Sequence, residues 1–401
     1  MSTVKMFQEV YLPRNIFLSI FMLIFNAFTW FYMILTLLGQ LMDDFAISSI
    51  IMVFFHVSVV VSSLFGVLSA RLISRIKLLR FWYGLGVFVS LLPVFIPNFT
   101  FSSVSVVSFL LGFSFGLGMP SCLAYYADHT EINNRGKIGG IILCITNLGA
   151  FPFASALLFA KSYNVRFIML ALWRLVGLVS FIFLKFIDKP NPKPKLTTSI
   201  HDLITNRQFL LYFMPWTLFI FIDRLCGYLL ERVLFEAIFG SFSSIVAGFL
   251  ADTFGRKRIV IYGFILLGIA YGVIGIAPNM LISYYIHVVL DGIAAGILWV
   301  VFITVIWGDL TKPGVREEAY MLGNIFFFIS QIVPTLLFSY LIALPLNSVF
   351  SLASFFLFLA VLPLMYAPET LPEREIKRRE LRKYIEKAKK IREKYEKQKE
   401  G

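Results

Sequence analysis

The sequence predicts an all-α membrane protein with twelve transmembrane helices arranged as two parallel six-helix repeats, and three observations predict it. Of the 401 residues 59% are hydrophobic and only 15% are charged, against about a quarter charged in soluble domains. The apolar residues gather into twelve stretches, each of about 20 residues and long enough to cross a hydrocarbon core of about 30 Å. Four landmarks then recur in the same order at an offset of 180 to 182 residues.

The spans of the first half fall near 15–41, 46–69, 81–97, 102–126, 138–160 and 166–187. Those of the second fall near 209–229, 233–252, 259–277, 281–307, 319–341 and 346–366. Span 1 is too long for the apolar core of a cleaved signal peptide and lacks a small-residue cleavage site, so it is expected to act as its own uncleaved signal. Alternate loops are basic: Arg71, Arg75, Lys77 and Arg80 follow span 2, Arg135 and Lys137 span 4, Lys189, Lys193, Lys195 and Arg207 span 6, Arg256, Lys257 and Arg258 span 8, and Lys312 and Arg316 span 10. The other loops hold only Lys161, Arg166 and Arg232. Short loops rich in Lys and Arg stay inside, so both termini are expected in the cytoplasm of a multi-pass cell-membrane protein.

The same loops and a basic tail account for the net charge of +13, so no nucleic-acid partner is expected. Cys122, Cys144 and Cys226 lie inside spans without CxxC or Cys/His spacing and read as small packing residues. No metal or cofactor is expected. The chain has no GxxxxGK[ST] loop, which argues against an ATP-driven pump, and no enzyme activity is expected.

The repeat is carried by four pairs. GVLSARLISRIK at 66 matches GFLADTFGRKRI at 248; Gly112 and Gly116 answer Gly292 and Gly296; Asp128, seven residues before Arg135, answers Asp309, seven before Arg316; and Pro152 answers Pro334. A unit of six spans repeated in one orientation gives halves related by an axis along the membrane normal. The expected division is 1–187 and 209–369 for the halves, 188–208 for a linker whose three prolines favour extended chain, and 370–401 for a charged tail.

GFLADTFGRKR closely resembles the GxLaDrxGrk signature that the major facilitator superfamily carries after helix 8, and the resemblance extends to about Thr370. In that family the loop latches one conformation. The resemblance implies this role for Gly248, Asp252, Gly255, Arg256, Lys257 and Arg258, and conformational switching for the acid-x6-Arg pairs Asp128 with Arg135 and Asp309 with Arg316. Gly248 would let two helices approach, and Asp252 would accept from a helix end or an arginine. The first copy departs from the pattern, with Ala70 in place of Asp252 and Ile73 in place of Gly255. It keeps only Arg71 and the basic cluster after it, which a positive-inside loop would carry as well. The acid-x6-RG spacing and APETLPE at 367–373 resemble the sugar-porter and metabolite-carrier branch, and the proline-marked antiporter signature is not complete in span 5. The resemblance implies a secondary carrier, a proton symporter of a sugar or organic acid. Alternatives are a uniporter or efflux carrier of organic anions or drugs, and a non-transporting receptor or scaffold on the same fold. The expected partners are a small-molecule solute, protons and the bilayer, with the chain a monomer.

Charge at mid-bilayer costs at least about 2.5 kcal/mol, so intramembrane polar residues need partners or a wet cavity. Asp291 lies about ten residues into span 10, with His287 one turn earlier. Asp223 and Arg224 lie in span 7, Arg174 in span 6, Asn26 and Thr29 in span 1, His56 in span 2, and Asn324 and Gln331 in span 11. In the family, helices 1, 4, 7 and 10 line the cavity, which implies a substrate or proton site at Asn26, Asp223 or Arg224, and Asp291. Asp291 is the leading carboxylate for a proton or solute; the alternative is an ion pair with Arg224. As sequence neighbours, Asp223 and Arg224 point about 100° apart, so one of them is expected to face the cavity. Arg174, without an acid in the spans of its half, either meets an anionic solute, reaches across the interface or snorkels outward, and outward is the expected course for a peripheral helix. Trp30, Trp216 and Trp299 could stack on a solute ring or simply pack. His56 and His287 are not repeat-equivalent and are not expected to bind metal. From Glu373 the tail reads as a helix with Glu-to-Lys pairs and a narrow apolar stripe, suited to the anionic leaflet or the carrier's inner face.

Overall fold

The computed structural model describes residues 12–45, 47–188, 196–227, 229–230, 234–341, 343–371, 385 and 388. Twelve helices are long and apolar enough to span a membrane. They are α1 (Arg14–Asp44), α2 (Ile50–Leu72), α3 (Arg75–Phe95), α4 (Phe101–His129), α5 (Arg135–Phe159), α6 (Tyr163–Phe183), α7 (Arg207–Gly227), α8 (Phe235–Phe254), α9 (Arg256–Ile276), α10 (Leu281–Leu310), α11 (Arg316–Leu337) and α12 (Leu346–Tyr366). No strand occurs among the described residues.

The helices reach past the hydropathic spans at one recurrent place. α3, α5, α9 and α11 all begin on an arginine, Arg75, Arg135, Arg256 and Arg316, three to six residues before the apolar run. Hydropathy counts these arginines as loop, whereas carboxylates from other helices partner each of them and let the first turn enter the bundle.

Packing follows the repeat. Within the halves α2 lies on α4 as α8 lies on α10, and α3 on α6 as α9 on α12. The landmark glycines make the first pair of contacts possible. A Cβ at Gly112 or Gly116 would meet the α2 backbone at Phe55 or Val59, and one at Gly292 would lie 2.6 Å from the α8 carbonyl of Glu236. Between the halves α2 packs on α11 and α5 on α8. A half-turn that carries the first six helices onto the last six exchanges these two contacts, as parallel repeats require.

α10 is not a regular helix. Val300–Ile306 form a fully buried π-helical segment, where Thr304 Oγ1 donates to Val300 O at 2.6 Å and Tyr320 of α11 donates to Thr304 O at 2.9 Å. Such segments change the direction of the side chains that follow them and concentrate at functional sites.

The part of the linker beyond its prolines is helical, Leu196–Thr205, starting two residues after the last of the three. Residues 189–195, around those prolines, lie outside the described residues, as does the predicted tail helix apart from Ile385 and Ala388.

Candidate functional site

A cavity of about 540 Å³ lies between the halves, walled by α1, α2, α4 and α5 on one side and α7, α8, α10 and α11 on the other. On α1 and α7, which start at the basic end, its lining begins with Phe28 and Asp223; on α2 and α8, which start at the opposite end, it includes His56 and Glu236. The cavity therefore occupies mid-depth and the end remote from the basic loops. Its walls are largely aromatic, with Phe31 stacked on Phe115 at 4.6 Å and Phe328 edge-on to Phe31 at 6.1 Å. Trp299 faces Phe327 at 5.2 Å. Into this apolar space project His56, Asn147, Asp223, Arg224, Glu236, Asn324 and Gln331.

The two neighbours on α7 both line the cavity, contrary to the single facing residue expected. They sit in the last helical turn, and the long Arg224 side chain reaches back so that its Nε lies 3.3 Å from Asp223 Oδ2 and its guanidinium 5.5 Å from the Phe327 ring. His56 is hydrogen-bonded through Nδ1 to Met52 O at 2.7 Å, so its proton is held on that nitrogen and Nε2 remains as the acceptor.

Asn26 and Arg174 do not line the cavity. Asn26 is wholly buried, donating to Trp173 O at 2.6 Å and accepting from Arg174 Nη1 at 3.3 Å. Arg174 does not snorkel: it has no exposed surface, and its guanidinium lies 3.8, 4.2 and 4.6 Å from the rings of Tyr83, Trp82 and Trp30. Those rings turn α6 inward at this point, which a hydropathy profile does not register. Trp30 and Trp216 are likewise packed away, bonded to Ser90 and to Gly323 O, and of the three tryptophans only Trp299 reaches the cavity.

Asp291 and His287 occupy a separate water-sized chamber with Tyr271, Tyr284 and Glu236. His287 Nδ1 is 3.2 Å from Ala270 O. Glu236, which sequence reading passed over because it stands three residues into an apolar span, lines both chamber and cavity and so connects them. No cluster of metal-ligating residues occurs among the described residues.

The basic end is shut by charge. Asp252 is fully buried and accepts the α5 backbone N–H groups of Gly136 at 3.0 Å and Lys137 at 2.7 Å, besides Arg256 at 3.0 Å. Gly248 and Gly136 let α8 and α5 touch backbone to backbone, a Cβ on Gly136 falling 2.6 Å from Gly248 O. Asp309 gathers Arg135 from the first half and Arg256 Nε at 3.1 Å, and Arg316 reaches back to Asp128. Gly255 takes φ 104°, a left-handed conformation that favours glycine, and starts α9 so that its amides at Arg256 and Lys257 meet the Glu369 carboxylate at 2.7 and 3.2 Å. Arg258 is exposed.

The first copy of the loop, which sequence left with no more than a basic cluster, joins the closure with its polarity reversed. Arg71 pairs with Glu318, and Arg75 bridges Glu317 at 2.8 Å and Asp128 at 2.5 Å. Glu317 and Glu318 stand where the other half has Gly136 and Lys137, and two acids on a helix N-terminus directly after an acid-x6-Arg motif were the available signal. Reversing the charge of Arg71 (Arg71→Glu) is expected to slow the conformational cycle about tenfold, and the double variant Arg71→Glu/Glu318→Arg to recover most of the loss. Stopped-flow measurement of tryptophan fluorescence on solute addition checks this; equal rates in the single and double variants would show that the pair is not coupled.

A family model described as the Major Facilitator Superfamily matches residues 16–230 and 233–395. No curated protein matches the chain. Among solved structures it is similar to the human organic anion transporter MFSD10 (TETRAN), with TM-score 0.65 and 15% identity over 88% of this chain and 99% of that one. It is also similar to the proton:xylose symporter XylE bound to 6-bromo-6-deoxy-D-glucose, with TM-score 0.65 and 14% identity over 89% of this chain and 96% of that one.

Proposed function

The chain belongs to the Major Facilitator Superfamily, and from that premise we propose that it is a proton-coupled secondary carrier that moves a small organic solute by alternating access across the cell membrane. The observation that carries this reading is the position of the cavity: it lies between two six-helix halves, is shut at one end by ion pairs between them, and extends toward the other. Breaking those pairs while closing the far end would pass a bound solute from one side to the other. The basic loops support a cytoplasmic position for the shut end, and on that reading the conformation is the outward-facing one.

The solute is a sugar or organic acid with an apolar face, held against Phe31, Phe115 and Phe328 and hydrogen-bonded by Asn147, Asn324 and Gln331. Glu236, between cavity and chamber, passes its proton to the Asp291 carboxylate, beside His287, as solute enters. Purified protein in liposomes, scored for uptake of a labelled sugar and organic-acid panel, is expected to accumulate its solute only under an inward proton gradient. Equal accumulation without the gradient would remove the proton, and the absence of flux for every solute would favour a receptor or scaffold.

A further inference from the structure

A guanidinium and a phenyl ring fill the same slot in the two halves. A Cβ on Gly86 of α3 would lie 2.7 Å from Arg174 Nε on α6, and a Cβ on Gly268 of α9, 182 residues on, would lie 2.8 Å from Phe358 Cζ on α12. These helix pairs are repeat-equivalent, so the second half shows that filling the slot needs no charge. The first half nevertheless places there a cation with no exposed surface, at a desolvation cost of several kcal/mol.

Little in its own half offsets that charge. The polar neighbours of Arg174 are neutral: Nη1 reaches Oδ1 of Asn26 at 3.3 Å, and the Tyr83 hydroxyl lies beside the guanidinium. The described acids of α1 to α6 lie at helix ends, Asp43 and Asp44 on α1 and Asp128 on α4. The faces of Tyr83, Trp82 and Trp30 attract the cation without neutralising it. One aromatic layer separates it from the cavity: Trp30 lies 4.6 Å from the guanidinium and 6.5 Å from the ring of Phe115, which lines the wall.

Resting on the carrier reading above, we infer that Arg174 makes the first-half wall of the cavity selective for an anionic solute, a carboxylate whose apolar body packs on Phe31, Phe115 and Phe328. On the opposite wall Asp223 and Arg224 lie 3.3 Å apart and offset each other, which leaves the charge of Glu236, so the solute carboxylate is repelled there and drawn to the first half, which fixes its orientation. A unit charge about 10 Å from another at an effective dielectric of about 20 changes affinity on the order of tenfold.

The test uses purified full-length protein and matched probes, benzoate with benzamide, phenylacetate with phenylacetamide, and indole-3-acetate with indole-3-acetamide, titrated by thermal stabilisation and by exchange in proteoliposomes. At least one carboxylate is expected to bind about tenfold tighter than its amide. Arg174→Phe copies the other half, and Asn26→Asp sets a carboxylate against the guanidinium. Both are expected to bring the ratio to about one with amide affinity within twofold of wild type, while Arg174→Lys keeps the preference. Should Arg174→Phe fail to fold, Asn26→Asp decides alone. A ratio of one in wild type, a preference that survives Asn26→Asp, or no binding by any carboxylate overturns the inference. Exchange of the amides without preference would leave the carrier reading intact, whereas failure to transport any solute at all would remove both.

Discussion

Asp252→Asn is expected to cut turnover at saturating solute by about two orders of magnitude while leaving the dissociation constant of the solute within twofold. The carboxylate accepts two backbone amides of α5 and faces Arg256 without contact with water. An asparagine has one acceptor oxygen, so its amide group must point a donor at Gly136, Lys137 or the guanidinium. Hydrogen bonds to a charged group contribute about 1.5 to 3 kcal/mol, and a buried donor left without an acceptor costs a comparable amount. A loss of about 3 kcal/mol moves a two-state equilibrium by roughly 10²-fold. Because the amides belong to the other half, the loss falls on the shut conformation alone. Initial rates and equilibrium binding on the same preparation check this. A selective loss of affinity with normal turnover would place Asp252 with the solute and not with the closure.

Asp291→Asn is expected to abolish accumulation driven by a proton gradient and to leave solute exchange at near wild-type rates. Asparagine keeps the volume of the side chain, so the chamber with His287 and Glu236 keeps its shape, but it has no titratable group to take up and release a proton. Without that proton the movement of solute is no longer tied to the movement of protons, and uptake reduces to equilibration. Concentrative uptake at the wild-type level would rule Asp291 out as the coupling site. Loss of exchange together with accumulation would assign it to solute binding or to the fold.

The fold was legible because lipid imposes length and composition on every span, and the repeat because close helix contact demands small residues at fixed intervals: Gly112, Gly116, Gly292 and Gly296 do the same work at equivalent places. Helix rotation was not legible. Asn26, Trp30 and Trp216 lie on helices that border the cavity yet face their own half, and Arg174 points inward from a helix that composition alone would leave in lipid. Glu236, Glu317 and Glu318 went unread because each stands within a residue or two of a helix start, where acids are ordinary. Their importance comes from what a distant segment brings to them, Arg71 and Arg75 for the last two. Glu369 was visible as part of a motif, but its partnership with the start of α9 depends on the chain returning after α12.

The opposite polarity of the two arms of the closure also governs which six-helix units can mate. Two copies of the first unit would set Arg71 and Arg75 against the Arg135 and Lys137 end of α5, and two copies of the second would set Asp252 against Glu317 and Glu318. Each unit is thus repelled by its twin and attracted by its sister, so neither two first units nor two second units can form this closure in place of the native pair.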